Sequence, residues 1–245
     1  MKEKTKERLL VISPHTADWI WRCGGTVATY LKAGADVTVV CLTLGARGES
    51  GELWKHAGIT TEEVKNIRRE EVTNVAKKLG VSQLEVWDYD DCPLIAGPEI
   101  LQRLNVKIRE VRPTVIITHD QFDCTNFDHA VAYEIVSKAL LMSLQRGIFS
   151  EGLDPIKNVQ VYGMEPGFSE QSGFVPQVYI DITNVYDEKE AAMACVKSQP
   201  NTPIRHTYAT LIRGKQAKVM PGGEKIKYAE CFSARFPIIV EEKLP

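Results

Sequence analysis

Apolar and polar positions fall in blocks along the first half of the chain, and the period changes from block to block. Leu9 to Ser13 (LLVIS) is a short apolar run, while Gly24 to Ala33 places apolar residues at helical spacing. Asp36 to Leu44 (DVTVVCLTL) is rich in β-branched residues and reads as a buried strand. Thr60 to Leu79 opens on Thr60-Thr61-Glu62-Glu63, a capping signature, and closes at Gly80. A third strand is predicted over Leu84 to Asp88, a helix over Ile100 to Val111 before Pro113, a fourth strand over Thr114 to Thr118, and a helix over His129 to Leu144. Strands alternating with helices imply an α/β fold, with a mostly parallel sheet and helices on both faces.

The second half is less regular. Val159 to Gly163 and Gln177 to Ile182 read as strands, Val185 to Val196 is amphipathic, and Tyr208 to Gln216 fits another helix. Pro221-Gly222-Gly223 breaks the chain, and Tyr228 to Pro237 reads as extended. The simplest organisation is one domain over 1–245, with a core of about 7–200 and a C-terminal extension of about 201–245. In open α/β sheets ligands bind at the carboxyl ends of the strands. The loops after strands one, two and four should therefore share a crevice, and these loops are the densest in polar chemistry.

Composition narrows the function classes. Hydrophobic residues make up 44% and charged residues 25%, enough for a packed core. Net charge is −2 with both signs interspersed, which argues against a nucleic-acid footprint or an anionic membrane surface. No apolar run approaches the roughly 18 residues of a membrane-spanning helix. Met1 to Arg8 is charged and lacks the features of a signal peptide. Six cysteines are scattered without a CxxC pair, so reduced thiols in the cytoplasm are expected.

Three segments carry candidate chemistry. In Pro14-His15-Thr16-Ala17-Asp18, an imidazole and a carboxylate three residues apart can clasp one side of a metal, and Ala17 stands where a second carboxylate could serve as a base. The alternative is a capping Asp18 beside an ordinary His15. Asp123 to His129 (DCTNFDH) is a polar loop in which His129 could supply a third ligand, while Asp128 either caps the next helix or orients an imidazole. His119 precedes this loop, so three of the five histidines lie in two loops expected to converge. In Gly45 to Trp54 (GARGESGELW), Arg47 can grip a carboxylate or phosphate and Glu49 is a candidate general base or acid. The bland reading of that segment is a solvated loop. Arg68-Arg69-Glu70-Glu71 reads as a surface ion-pair set, and Gly24-Gly25 as a means for a helix start to pack close to the sheet. Arg213, Gln216 and Tyr228 could reach an anionic substrate or lie on the surface.

PHxxD followed by GG, then a loop with GxRGE and a later DH, resembles the PIG-L/LmbE-like superfamily of zinc-dependent de-N-acetylases, from about Leu9 to Gln199. The family's usual first motif is PHPDDE. The resemblance implies a Rossmann-like α/β fold and one Zn2+ per chain, or another divalent metal, on His15, Asp18 and His129. It also puts Ala17 in the position of the family's base. The segments VISPHTADWIWRCGG, CLTLGARGESGELW and YAECFSARFP are similar to the 4-oxalomesaconate hydratase branch of that superfamily, which hydrates an unsaturated oxo-tricarboxylate. Gly167 stands where that branch carries a second acid/base.

The leading expectation is therefore a zinc-dependent hydro-lyase acting on a small anionic substrate. Its expected catalytic residues are Glu49, His119 and Glu165, with Tyr228 a further candidate for the proton role. Arg47, Asn126, Arg213 and Tyr228 are expected at the substrate. The alternatives are de-N-acetylation of an N-acetylated sugar derivative, and a catalytically diverged metal-binding protein. The resemblance also implies a homo-oligomer.

Overall fold

The structure, a computed structural model, describes residues 6–157 and 159–237. Among these residues there are seven strands and six α-helices, and the strands form one sheet in the order β3-β2-β1-β4-β5-β7-β6. The strands are β1 (Arg8–Ser13), β2 (Asp36–Thr43), β3 (Gln83–Tyr89), β4 (Val115–His119), β5 (Gln160–Met164), β6 (Val178–Asp181) and β7 (Ala229–Ala234). Strands β1 to β5 are mutually parallel, β7 runs antiparallel to β5, and β6 runs antiparallel to β7. Six helices flank it: α1 (Asp18–Lys32), α2 (Thr61–Leu79), α3 (Pro98–Val111), α4 (Phe127–Ser143), α5 (Tyr186–Met193) and α6 (Thr202–Lys218). The mostly parallel α/β sheet expected from the sequence is present.

The central strand shows why both faces are covered. Successive side chains of a strand point to opposite faces. Leu9 and Val11 pack in one cluster with Trp19, Ile20, Val27 and Val72, whereas Leu10 and Ile12 pack in another with Ile100, Leu104 and Ile135. All four β1 side chains are completely buried. Two apolar faces on one strand leave it nowhere to go but the middle of a layered α/β domain.

Helix α2 matches its sequence signature closely. The Thr60 hydroxyl accepts from the Glu63 backbone N–H, the Glu63 carboxylate accepts from the Thr60 N–H, and Gly80 closes the helix in the left-handed region. Three other elements depart from expectation. Helix α1 begins at Asp18 rather than near Gly24, so the paired glycines lie in its middle. Helix α6 begins at Thr202 and α5 ends at Met193, against a predicted start at Tyr208 and a predicted end at Val196. Of the segment read as a C-terminal extension, the described part supplies α6 and β7, and β7 is hydrogen-bonded on both sides inside the sheet.

A buried ion pair joins these late elements to α1. Lys189 Nζ lies 2.6 Å from Glu230 Oε1, with both side chains at most 2% exposed. Glu230 accepts from the N–H groups of Gly25 and Thr26, and Lys189 donates to the Trp21 carbonyl. That carbonyl is the acceptor a regular helix assigns to Gly25. The pair thus enters the α1 ladder at the paired glycines and fixes α1 against α5 and β7. Removing one partner strands the other charge in the interior. Glu230→Ala is expected to lower the unfolding free energy in urea by about 3–5 kcal/mol.

Candidate active site and metal centre

The loops leaving β1, β2 and β4 meet at the carboxyl edge of the sheet, as the topology requires. His15 follows β1, Asp18 is the first residue of α1, His119 ends β4, and His129 lies in the first turn of α4. All four side chains are nearly inaccessible. The α1 position before Asp18 is held by Ala17, which is 3% exposed and offers no cap from its side chain.

Asp18 is the hub. Its Oδ2 lies 2.8 Å from His15 Nδ1 and accepts from the His15 N–H, while its Oδ1 lies 3.4 Å from His129 Nε2. Each imidazole is turned by a second carboxylate on its far nitrogen. Asp128 Oδ2 lies 3.1 Å from His15 Nε2, and Asp123 Oδ2 lies 2.8 Å from His129 Nδ1. Asp128 is itself held by the N–H groups of Cys92 and Leu94, and Asp123 by Thr125 and the Gly167 N–H. Asn126, not Asp128, caps α4, so Asp128 performs the orienting role.

This donor set suits a cation. The His129 Nε2 atom is buried with no hydrogen-bond partner among the described residues. With their far nitrogens engaged by carboxylates, His15 and His129 turn their near nitrogens toward Asp18, the arrangement that orients histidine ligands in metal sites. Among the described residues, three overlapping groups offer donor atoms within 4.8 Å of one another: His15 with Glu49 and His129, Asp18 with His119 and His129, and His15 with Asp91 and Asp128.

The charges respond accordingly. Burial alone disfavours the His15 imidazolium, yet Asp18, Asp128 and Glu49 push its pKa up to about 10. Burial would raise Asp18, but the His129 and His15 charges hold it well below the carboxylate range. Asp123 is likewise lowered against its burial, by His129, Thr125 and Arg22. His119 is driven well down by burial and then by the adjacent His129 charge.

Glu49 reaches the cluster from the loop after β2, with Oε1 4.0 Å from His15 Nδ1. Gly45 permits this approach. Its φ is +66°, and a Cβ there would lie 3.1 Å from both Glu49 Cβ and His15 Cβ. The loop is braced rather than merely solvated: Ser50 is fully buried and donates to the Gly45 carbonyl, and Trp54 Nε1 donates to the Ala46 carbonyl. Glu49 accepts from Asn126 Nδ2 at 2.6 Å and from Gln199 Nε2 at 2.9 Å. Gln199 is oriented in turn by Arg68, which donates to its Oε1. Arg68 is 1% exposed and Glu71 7%, so the expected surface ion-pair set is half wrong: only Arg69 and Glu70 face outward. Val64, Arg68, Glu71, Val72 and Val75 share the buried face of α2, a helical spacing that could have revealed it.

A cavity of about 200 Å³ opens over the cluster and is lined by Asp18, Glu49, Asn126, His129, Arg22 and His206, among others. A second, of about 140 Å³, shares Trp21, Arg22, Arg205 and His206 with it and continues to Glu165 and Arg213. The structure thus brings together His15, Asp18, His129, Glu49 and Asn126. His119 stacks on His129 with ring centroids 3.8 Å apart, but lies behind it and away from the cavity lining. Arg213 and Glu165 line the second chamber locked to each other, and Ser169 also donates to Glu165. Arg47 turns to the exposed Asp90 at 3.1 Å instead of the cavity. Tyr228 stacks on Tyr186 at 3.7 Å, outside both chambers. Arg22, Arg205 and His206 escape the sequence reading because α1 and α6 start several residues earlier than their patterns suggest, and Gln199 because it lies in the loop between α5 and α6, where no local pattern marks it.

A mostly parallel sheet whose strand ends carry a His/Asp/His donor set beside a free carboxylate defines a metal-site α/β enzyme. The family profile of PIG-L, described as GlcNAc-PI de-N-acetylase, matches residues 10–140, and the chain belongs to that family. It is 37% identical over 95% of its length to 4-oxalmesaconate hydratase of Pseudomonas putida, covering 90% of that protein. It is 25% identical over 88% of its length to a probable N-acetyl-alpha-D-glucosaminyl L-malate deacetylase 2 of Bacillus cereus, covering 93% of that protein. The crystal structure of GalB, the 4-carboxy-2-hydroxymuconate hydratase of Pseudomonas putida, superposes with a TM-score of 0.93 at 35% identity, covering 97% of this chain and 100% of that one. The N,N'-diacetylchitobiose deacetylase of Pyrococcus horikoshii shares the fold, with a TM-score of 0.76 at 22% identity over 94% of this chain and 84% of that one.

Two outcomes follow from the geometry. Asp123→Asn and Asp128→Asn should each weaken metal binding by about 10–100-fold in competition with a chromophoric chelator. In chelator-treated protein His15 is the histidine of this cluster whose pKa is raised. Its contribution to stability is complete below the ordinary value of 6.5 and is lost as pH rises toward about 10. The melting temperature of chelator-treated protein should fall across that window, and in His15→Gln this fall should disappear.

Proposed function

We propose that the protein is a zinc-dependent hydratase that adds water to an unsaturated oxo-di- or tricarboxylate such as 4-oxalomesaconate. One observation carries the reading. The position before Asp18 is the apolar, buried Ala17, while Glu49 is the carboxylate on the cavity wall with no positively charged partner among the described residues within salt-bridge distance except the His15 ring. The hydratase relatives, which match nearly the whole chain, support the same class.

His15, Asp18 and His129 would hold the metal. Bound there, it supplies Lewis-acid polarisation of a carbonyl or a water. The chain's own residues do the rest. Glu49 takes a proton from water, and the Asn126 and Gln199 amides keep both its oxygens aimed into the cavity. Arg205, with no ion-pair partner among the described residues, supplies positive charge beside the site as a polycarboxylate requires, and Arg22, paired with Asp123 at 3.4 Å, adds to the positive field there. This role replaces the one expected of Arg47. Arg213 neutralises Glu165 in the second chamber rather than meeting substrate directly.

Free cysteines, several of them buried, fit a reducing cytoplasm, and no described helix is long and apolar enough to cross a membrane. A homo-oligomer working on a small anionic substrate completes the proposal, on the strength of the resemblance.

De-N-acetylation is the second reading, favoured by the family profile and the deacetylase relatives. It would use Glu49 in place of the missing carboxylate at Ala17. A spectrophotometric screen of unsaturated oxo-acids with metal-replete protein separates the two. Loss of the conjugated enone absorbance supports hydration, whereas acetate release from N-acetylated sugars with no effect on oxo-acids supports the amidase. Protein that binds no metal and turns over neither substrate would be a diverged, non-catalytic member. Glu49→Gln is expected to lower kcat by about 10²–10⁴-fold with little change in KM; full activity in that variant would remove Glu49 from its role.

A further inference from the structure

Hydration needs two proton transfers. Water loses a proton as its oxygen bonds the carbon β to a carbonyl, and the π pair shifts toward that carbonyl as an enolate. The enolate pair must then take a proton at the α carbon. Glu49 accounts for the first transfer, and nothing so far accounts for the second.

We propose that His206 is a catalytic residue that delivers this second proton, an inference that rests on the hydratase reading. His206 lines both chambers, and its Nε2 is buried without a hydrogen-bond partner among the described residues. An unpaired buried nitrogen is costly, so it stands out where a ligand can complete it. The ring is held in place by Trp21, stacked at 5.7 Å and 15°. Trp21 Nε1 lies 3.4 Å from Gln199 Oε1, and Gln199 Nε2 donates to Glu49. A continuous set of contacts therefore ties His206 to Glu49 around one cavity.

The other candidates are engaged elsewhere. Glu165 is neutralised by Arg213 and Tyr228 is stacked on Tyr186, while His119, although both its ring nitrogens are buried without a partner among the described residues, lies against His129 and lines neither chamber. Gly167 leaves no room for a side chain, since a Cβ there would lie 2.8 Å from Thr125 Oγ1. Its N–H is already used to hold Asp123.

The electrostatics supply the timing. In the free protein, burial and the charges of Arg22, Lys189 and Arg205 hold the His206 pKa well below 6.5, opposed only in part by Asp18. A bound polycarboxylate adds negative charge to the same cavity and favours the imidazolium. The Nε2–H bond then breaks as the α C–H bond forms. The proton gained by Glu49 returns to His206 through solvent at the cavity mouth, so the cycle consumes one water and no other reagent.

The test uses the full-length metal-loaded protein, with 4-oxalomesaconate as probe. His206→Gln keeps hydrogen-bonding capacity but no imidazole, and His206→Phe keeps the stack on Trp21. Both are expected to retain metal content and KM, and to lose about 10²–10⁴-fold in kcat. Deuterium entry at the product's α carbon in D2O should fall in parallel. On wild-type protein, the 15N resonances of His206 should move to imidazolium values when the saturated tricarboxylate tricarballylate binds; this measurement decides the matter even if both variants fail to fold. Wild-type activity retained within about threefold in either variant, or an unchanged His206 resonance, overturns the assignment and leaves the hydratase reading standing. A wild-type protein that hydrates no oxo-acid overturns both.

Discussion

One buried carboxylate organises this molecule. Asp18 sits between His15 and His129 at the end of the central strand, with almost no access to water. Ionised groups are expensive to desolvate, so such a cluster persists only when every charge has a fixed partner. Here His15 is hydrogen-bonded on both sides, by Asp18 and Asp128, and His129 is hydrogen-bonded by Asp123 and faces Asp18 at 3.4 Å. The far carboxylates are in turn pinned by backbone N–H groups from other loops. The site is therefore a constraint on three loops at once. The same constraint that fits them to a cation fits them to each other.

The scaffold carries this demand outward through polar contacts rather than apolar ones alone. The Lys189–Glu230 pair enters the α1 ladder within two turns of Asp18, which ties the site to β7 and α5. Arg68 reaches from α2 to Gln199, and Gln199 reaches Glu49. The base candidate is thus positioned by residues about 20 and 150 positions away in the chain, a distance that no local pattern can report. Ala17, where the family resemblance places a carboxylate, is buried and has no side chain to hydrogen-bond. The proposed base, Glu49, lies on a loop whose close approach depends on Gly45.

What could be read in advance follows physical type. Helix α2 was legible because capping, periodicity and a terminal glycine all act within a few residues. The start of α1 was not, since Asp18-Trp19-Ile20-Trp21 is apolar almost all round and buried on every side. The start of helix α6 was obscured because its buried face carries His206, Thr210, Gly214 and Ala217 while the apolar Ile204, Tyr208 and Ile212 face outward, the reverse of the usual pattern. That error hid His206 and Arg205, and the late start of α1 hid Arg22. Arg68 and Glu71 were misplaced by charge type, although their spacing put them on the buried face.

By itself, the sequence determined the alternating α/β plan and the convergence of three loops, because periodicity and strand-end topology are local or combinatorial properties. It also offered His15, Asp18 and His129 as candidate donors, through a local motif and a family resemblance, and the structure gathers the three at one strand-end cluster. Only the tertiary structure decided which polar residues face the cavity. It turned Arg47 and Tyr228 away, engaged Glu165 with Arg213, and brought Gln199, Arg22 and His206 inward. The reason is that a side chain's partner depends on which helices pack together, and that is settled by burial of the whole chain rather than by any stretch of it.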